Sequence, residues 1–133
     1  MIVPLIKGLS LTLKHFFSKP VTIQYPEEKW ECYPRFRGLH QLQRKEDGSA
    51  KCVACQLCAT VCPSECIKIE TCEDPDKGRY AKSYNIDLTR CVFCGFCVEA
   101  CPVEAITMTH AYELADYSRQ SMQYDKETLL GNK

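Results

Sequence analysis

The sequence predicts a small α+β protein whose core contains two copies of one loop–helix–strand unit, with an amphipathic helix before the core and extended arms beside it. Eight of the 11 cysteines fall into two groups of identical spacing, which begin 39 residues apart at Cys52 and Cys91. Self-similarity at a fixed period predicts a pseudo-two-fold repeat in which each half is one supersecondary unit. The length of 133 residues suits one small domain with extensions.

Residues 1–19 form the predicted amphipathic helix. Its apolar side chains recur every three to four positions, at Leu5, Ile6, Leu9, Leu13, Phe16 and Phe17. The opposite face carries Lys7, Ser10, Lys14 and Ser18. Such a helix either lies in a membrane interface or packs on its own domain. Because the core is too small to need this helix, we favour an outside partner. No apolar run reaches the roughly 18–20 residues of a membrane-spanning helix.

Three further segments follow the helix. Residues 20–48 are predicted to be extended and irregular, because prolines and glycines punctuate them. These residues are Pro20, Pro26, Pro34, Gly38 and Gly48. Residues 49–110 contain both cysteine groups and form the predicted core. Residues 111–133 form a polar, tyrosine-bearing tail.

Within the core, each copy is predicted to form a cysteine-rich loop, a short helix ended by a proline, and a strand. The helices are expected near 58–62 and 97–101, and the strands near 67–70 and 105–108. A turn at 74–78 and a returning strand over 80–88 are expected between the copies.

The spacing of the cysteines indicates their chemistry. Each copy reads Cys-x2-Cys-x2-Cys-x3-Cys-Pro, which is typical of ligands to a [4Fe–4S] cluster. One loop can supply three thiolates to a cluster, whereas the fourth cysteine of this pattern ligates the cluster of the other copy. The sequence therefore predicts a ferredoxin-like core with two [4Fe–4S] clusters. Cluster 1 is assigned to Cys52, Cys55, Cys58 and Cys101, and cluster 2 to Cys62, Cys91, Cys94 and Cys97.

Zinc and disulfides are the structural alternatives. Zinc sites usually pair Cys-x2-Cys units from separated segments, which matches this pattern poorly. An odd number of cysteines suits a closed disulfide framework poorly. Both alternatives are therefore disfavoured.

The remaining cysteines and the histidines are expected to have no ligand role. Cys66 aligns with Ala105 of the second copy, so we expect a small, buried thiol there. Cys32 and Cys72 are expected to be plain thiols. The three histidines, His15, His40 and His110, are expected at the surface or at caps.

The composition excludes several functions. The 17 basic and 17 acidic residues balance, which gives no sign of a nucleic-acid partner. No nucleophile–base pair or phosphate-binding loop stands out, so this chain alone offers no substrate site. Two clusters in one small domain suit a relay of single electrons.

The chain resembles the two-cluster iron–sulfur subunit I of respiratory complex I, the proton-pumping NADH:quinone oxidoreductase. The resemblance covers nearly the whole chain and is most specific outside the cysteine motifs. Its segments are GLSLTLKHFF at 8–17, TIQYP at 22–26, RFRGLH at 35–40, CPSECIKIE at 62–70 and YNIDLTRC at 84–91.

This resemblance implies a subunit of an oxidoreductase that is not an enzyme by itself. It implies that cluster 1 lies upstream of cluster 2 and that electrons continue to a terminal cluster on a neighbouring subunit, which reduces quinone. It also implies that the N-terminal helix lies against the membrane arm and that residues 21–43 wrap along partner subunits. The implied location is peripheral, on the cytoplasmic face of a bacterial inner membrane or on the matrix side of a mitochondrial one.

Two related functions stay open as alternatives. One is a freestanding two-[4Fe–4S] ferredoxin, although about 48 residues precede the first ligand here. The other is a ferredoxin-type subunit of a membrane-bound hydrogenase or a similar complex.

Overall fold

The N-terminal unit, which ends at Glu31, contains helix α1 over Ile2–Phe16. The structure is a computed structural model that describes residues 2–75 and 78–131. The backbone N–H and the hydroxyl of Ser18 both donate to the carbonyl of His15, which closes the last turn of α1. The helix therefore ends three residues before the predicted boundary at residue 19. Its apolar side chains are all more than half exposed, including Leu5, Leu9 and Phe16.

None of the helices within the described residues is long and apolar enough to cross a membrane.

The second unit begins at Cys32 and contains the remaining elements. Its strands are β1 (His40–Leu42), β2 (Ile67–Asp74), β3 (Gly78–Asp87), β4 (Ile106–Met108) and β5 (Gln123–Tyr124). Its α-helices are α2 (Leu57–Thr60), α3 (Phe96–Glu99) and α4 (Lys126–Leu130), and a 3₁₀ turn spans Gln120–Met122. The predicted turn at 74–78 includes residues 76 and 77, which lie outside the described residues.

Two small antiparallel sheets hold this unit together. Strands β2 and β3 pair in one sheet, with Ile67 opposite Ile86, and β5 extends it with Tyr124 opposite Ile86. Strands β1 and β4 form the other sheet, with Leu42 opposite Ile106. Strand β2 follows the first cysteine group and its partner β3 precedes the second group. Strand β4 follows the second group and its partner β1 precedes the first.

The two cysteine groups have matching local backbones. Helices α2 and α3 begin 39 residues apart, and so do strands β2 and β4. Left-handed backbone conformations also recur at this separation, in the pairs Ala54 and Phe93, Gln56 and Gly95, and Glu65 and Glu104. The repeat seen in the sequence is thus also a repeat of local conformation.

The structure differs from the predicted division of the chain at two places. Strand β1 lies inside the segment 20–48 that was predicted to be irregular, and Leu39, His40 and Leu42 are buried. In the predicted tail, β5 adds to the sheet, and Leu129 and Leu130 of α4 are buried in the core. Both flanks thus contribute apolar surface that the small cysteine core lacks.

Gly38 allows the chain to approach the end of β4 closely. Its N–H donates to the carbonyl of Thr109 at 2.9 Å. A Cβ at this position would lie 2.3 Å from the carbonyl oxygen of Ala111 and 2.6 Å from that of Thr109. Only glycine leaves this approach open, and the approach positions β1 beside β4.

Candidate functional site

The backbone of each cysteine loop turns its N–H groups toward sulfur. The N–H of Ala54 donates to Sγ of Cys52, and the N–H of Phe93 donates to Sγ of Cys91, each at 3.4 Å. Both donors have φ of 52°. Left-handed conformations next to right-handed ones form a concave set of N–H groups that suits anionic sulfur sites.

The first cavity is surrounded by Cys52, Cys55, Cys58 and Cys101. The first three cysteines come from the loop before α2 and from α2 itself, whereas Cys101 follows α3. The N–H of Ala105 donates to Sγ of Cys101 at 3.1 Å. The cavity encloses about 330 Å³ of empty space, open solvent at its mouth included. Its other walls include Leu42, Ile69, Val103 and Ile106. The thiols thus face a space with apolar walls.

The second cavity is surrounded by Cys62, Cys91, Cys94 and Cys97. Here the single contribution from the other copy is Cys62, which follows α2. The empty space is about 290 Å³ on the same measure, so the two cavities are similar in size. Cys66 and His40 also line it. The structure therefore brings together, in each cavity, the four cysteines grouped by the sequence analysis. Their assignment as ligands stays a prediction.

The environment of most of these thiols disfavours the free thiolate. Burial raises the pKa of Cys52, Cys58 and Cys91, and it raises the pKa of Cys97 to about 12. A thiolate in such a place lacks compensating positive charge, which coordinated iron supplies. The donor set therefore fits an iron–sulfur group. Within the described residues, we find no group of three or more His, Cys, Asp or Glu side chains placed to hold a single metal ion.

Cys62 differs from the other ligand candidates. Burial acts to raise its pKa, but hydrogen bonds from Cys66 and from the backbone of Ser64 and Glu65 lower it overall. This thiol is therefore better prepared than Cys97 to bind as a thiolate.

Three side-chain contacts to cysteine sulfurs in the cavities were not predicted from the sequence. The hydroxyl of Tyr84 lies 3.4 Å from Sγ of Cys58 in the first cavity. Sγ of Cys66 lies 3.4 Å from Sγ of Cys62, and Nε2 of His40 lies 4.0 Å from Sγ of Cys91, both in the second cavity. No local pattern marks Tyr84 or His40, because their positions depend on strand pairing across the chain.

The prediction for His40 is wrong. Its side chain is 1% exposed, and its ring lies 5.5 Å from the ring of Phe93, measured between centroids. Burial also lowers the pKa of His40. Three-residue strands such as β1 carry too little periodicity to reveal which of their side chains are buried.

The prediction that Cys66 is a buried thiol is confirmed. Cys66 is buried, and so is Ala105 at the equivalent position of the second copy. Cys32 and Cys72 are half-buried and do not line either cavity. Sγ of Cys32 donates to the carbonyl of His110 at 3.7 Å, and Cys72 lies opposite Tyr80 between β2 and β3.

Comparisons with known proteins agree with this site. The family description "4Fe-4S dicluster domain" matches residues 51–105, which contain all eight predicted ligands. This match and the relatives described next imply that the chain holds two [4Fe–4S] clusters.

Three curated relatives span most or all of the chain. NADH-quinone oxidoreductase subunit I 2 of Geobacter metallireducens is 55% identical over 98% of this chain and 98% of its own length. Subunit I 1 of Geobacter sulfurreducens is 56% identical over 100% of both chains. Subunit I of Methylococcus capsulatus is 50% identical over 94% of this chain and 73% of its own length.

One solved structure is also similar. It is the membrane-bound sulfane sulfur reductase, described as an archaeal respiratory membrane complex, with a TM-score of 0.57 and 34% identity over 83% of this chain. The present chain spans 55% of the length of that solved chain. The three relatives, each at least 50% identical over 94% or more of this chain, decide the family. This chain belongs to the NADH-quinone oxidoreductase subunit I family.

Proposed function

We propose that this chain relays electrons within an NADH:quinone oxidoreductase, from an upstream donor through cluster 1 and cluster 2 toward the terminal cluster and quinone. The observation that carries the proposal is the pair of four-cysteine cavities within one small unit of a subunit I family member. Proton translocation belongs to the complex as a whole, and this chain contributes the electron path.

The proposed ligands follow the two cavities. Cys52, Cys55, Cys58 and Cys101 hold cluster 1, and Cys62, Cys91, Cys94 and Cys97 hold cluster 2. When bound, each cluster accepts and releases one electron at a time. Strands β1, β2 and β4 contribute Leu42, Ile69 and Ile106 to the walls of the first cavity, and these apolar walls exclude water. Dry surroundings and hydrogen bonds to sulfur are the means by which a protein sets such potentials.

The two clusters lie close enough for direct transfer in this proposal. Helix α2, which carries Cys58 of the first cavity, packs against helix α3, which carries Cys97 of the second. The crossed cysteines and the matching local backbones support a pseudo-two-fold arrangement of the halves.

The N-terminal helix is proposed to bind outside this chain. Its apolar residues are exposed, and its last turn carries Lys14 and His15. An exposed apolar face beside basic residues suits either a membrane surface or a partner subunit at that surface. We place the chain at the cytoplasmic face of a bacterial inner membrane, or at the matrix side of a mitochondrial one, and residues 21–43 against partner subunits.

The relay is tested by removing one proposed ligand from the intact membrane complex. In a Cys55→Ala variant, quinone reduction by NADH should fall by more than about tenfold, because cluster 1 loses a ligand. NADH oxidation by an artificial acceptor that draws electrons upstream of this subunit should remain. Cys72→Ala is the matched control, since Cys72 lines neither cavity. Normal quinone reduction in a Cys55→Ala complex that lacks cluster 1 would refute the relay.

A further inference from the structure

Tyr84 places a hydroxyl group inside the first cavity from outside the cysteine motifs. It lies on β3 opposite Ile69 of β2, and both residues line the cavity. Its side chain is 1% exposed. The hydroxyl lies 3.4 Å from Sγ of Cys58, within hydrogen-bond range for sulfur. A buried hydroxyl without a partner would cost free energy, and the contact with Cys58 supplies that partner.

The direction of the hydrogen bond follows from the chemistry of the ligand. Cys58 binds iron as a thiolate and so has no proton to donate. The hydroxyl of Tyr84 must therefore donate, and the sulfur of Cys58 must accept. The pairing of Tyr84 with Ile69 in the β2–β3 ladder fixes the backbone from which the hydroxyl reaches this position.

We propose that Tyr84 is a positioning residue that raises the reduction potential of cluster 1 through its hydrogen bond to Cys58, an inference that rests on the proposed relay function. A reduced cluster carries one more negative charge than an oxidised one, and part of that charge lies on the ligand sulfurs. An O–H group directed at one of these sulfurs stabilises the reduced form more than the oxidised form. The hydroxyl keeps its proton throughout, and only the cluster changes its electron count.

This contact makes the two halves unequal although their cysteine patterns repeat. The register equivalent of Tyr84 in the other sheet is His40, which lies opposite Met108 as Tyr84 lies opposite Ile69. His40 has an imidazole in place of a phenol, and its Nε2 lies 4.0 Å from Sγ of Cys91 in the second cavity. The chain thus adjusts the first cluster separately from the second.

The test is a redox titration of the intact complex carrying Tyr84→Phe, followed by electron paramagnetic resonance. At a fixed ambient potential, the ratio of oxidised to reduced cluster 1 should rise about fivefold, as expected for the loss of one net hydrogen bond. This ratio corresponds to a downward shift of about 40 mV for a one-electron couple. Cluster 2 should keep its potential. Tyr80→Phe is the matched control, because Tyr80 lies on the same strand and lines neither cavity.

The outcomes separate this inference from the relay function. An unchanged cluster 1 potential, or an equal shift of both clusters, in a complex with full iron content overturns the role of Tyr84 and leaves the relay intact. Absence of two clusters in the unmodified complex overturns the relay itself. If Tyr84→Phe fails to load cluster 1, a ring-fluorinated tyrosine placed at position 84 decides the matter. Its more acidic hydroxyl is a stronger donor and should raise the potential, and no rise would refute the inference.

Discussion

A ninth cysteine lies beside the four proposed ligands of cluster 2. Cys66 is buried, and its sulfur lies 3.4 Å from that of Cys62. Burial raises the pKa of Cys66, and its neighbours Cys62 and Cys91 raise it further, so this thiol holds its proton. A protonated thiol is a poor ligand to iron, because the thiolate is the binding form. Alanine occupies the equivalent position 105 in the other copy, where it serves the same packing role.

We therefore predict that Cys66→Ala keeps both clusters. The anaerobically purified chain should contain about eight iron and eight sulfide, as the unmodified chain should. Cys94→Ala, which removes a proposed ligand of the same cavity, should contain about four of each. Iron and sulfide analysis checks both variants. A loss of four iron from Cys66→Ala would show that Cys66, and not one of the assigned four, completes cluster 2.

At this scale the spacing predicted which four cysteines line each cavity, but not the other side chains that surround them. Cysteine spacing is set by the geometry of the cluster, so it can be read without knowing the fold. The contacts of Tyr84 and His40 depend on which strands pair, and no local spacing encodes that. The left-handed conformations of Ala54 and Phe93 were also missed, since neither residue type favours them. Among these loop residues, only Gly95 is of a type that favours the left-handed conformation, because it lacks a Cβ.

The secondary structure elements show how a small core gains enough apolar surface. The C-terminal helix α4 begins at the cap residue Asp125, whose carboxylate accepts from the N–H and the hydroxyl of Thr128 at 2.8 Å and 2.6 Å. Leu129 on this helix is completely buried. It belongs to the same core as Leu42 of β1 and Ile86 of β3. The end of the chain is thus part of the domain that holds the clusters.

Leu129→Ala should destabilise the cluster domain by about 2–5 kcal/mol, because it leaves a cavity in the core. The measurement is the denaturant concentration at which the cluster absorption near about 400 nm is lost. Tyr117→Ala is the matched control, since Tyr117 is fully exposed and should leave the midpoint unchanged. If the two variants lose absorption at the same concentration, α4 does not support the core as described.

The predicted type of element, helix or strand, was correct for the elements within and just after the two cysteine motifs. The helices of both copies start one residue before their predicted positions, and β2 runs four residues further than expected. Strands β1 and β5 and helix α4 were missed, because each spans five residues or fewer and carries no clear period. Such short elements exist through tertiary packing, which residues like His40 and Leu129 show by their burial.

For the molecule as a whole, the crossed arrangement makes each half depend on the other. Cys101 joins the cavity formed by the first group, and Cys62 joins the cavity formed by the second. The strands also pair between the halves. Strand β1, before the first cysteine group, pairs with β4, after the second group, and β2, after the first group, pairs with β3, before the second. Each half thus contributes one cysteine to the cavity of the other and one strand to each sheet, and we predict that neither half completes its cluster alone. The family membership places this unit in an NADH-quinone oxidoreductase.

The crossing is tested most directly by electron paramagnetic resonance of the intact complex carrying Cys62→Ala together with Cys66→Ala. The second substitution removes the nearby thiol as a substitute ligand. Cys66→Ala alone is the control. The double variant should lose the signal of cluster 2 and keep that of cluster 1, although both substitutions lie in the first cysteine group. Loss of cluster 1 with cluster 2 retained would contradict the account, since it would mean that each group binds its own cluster with all four of its cysteines.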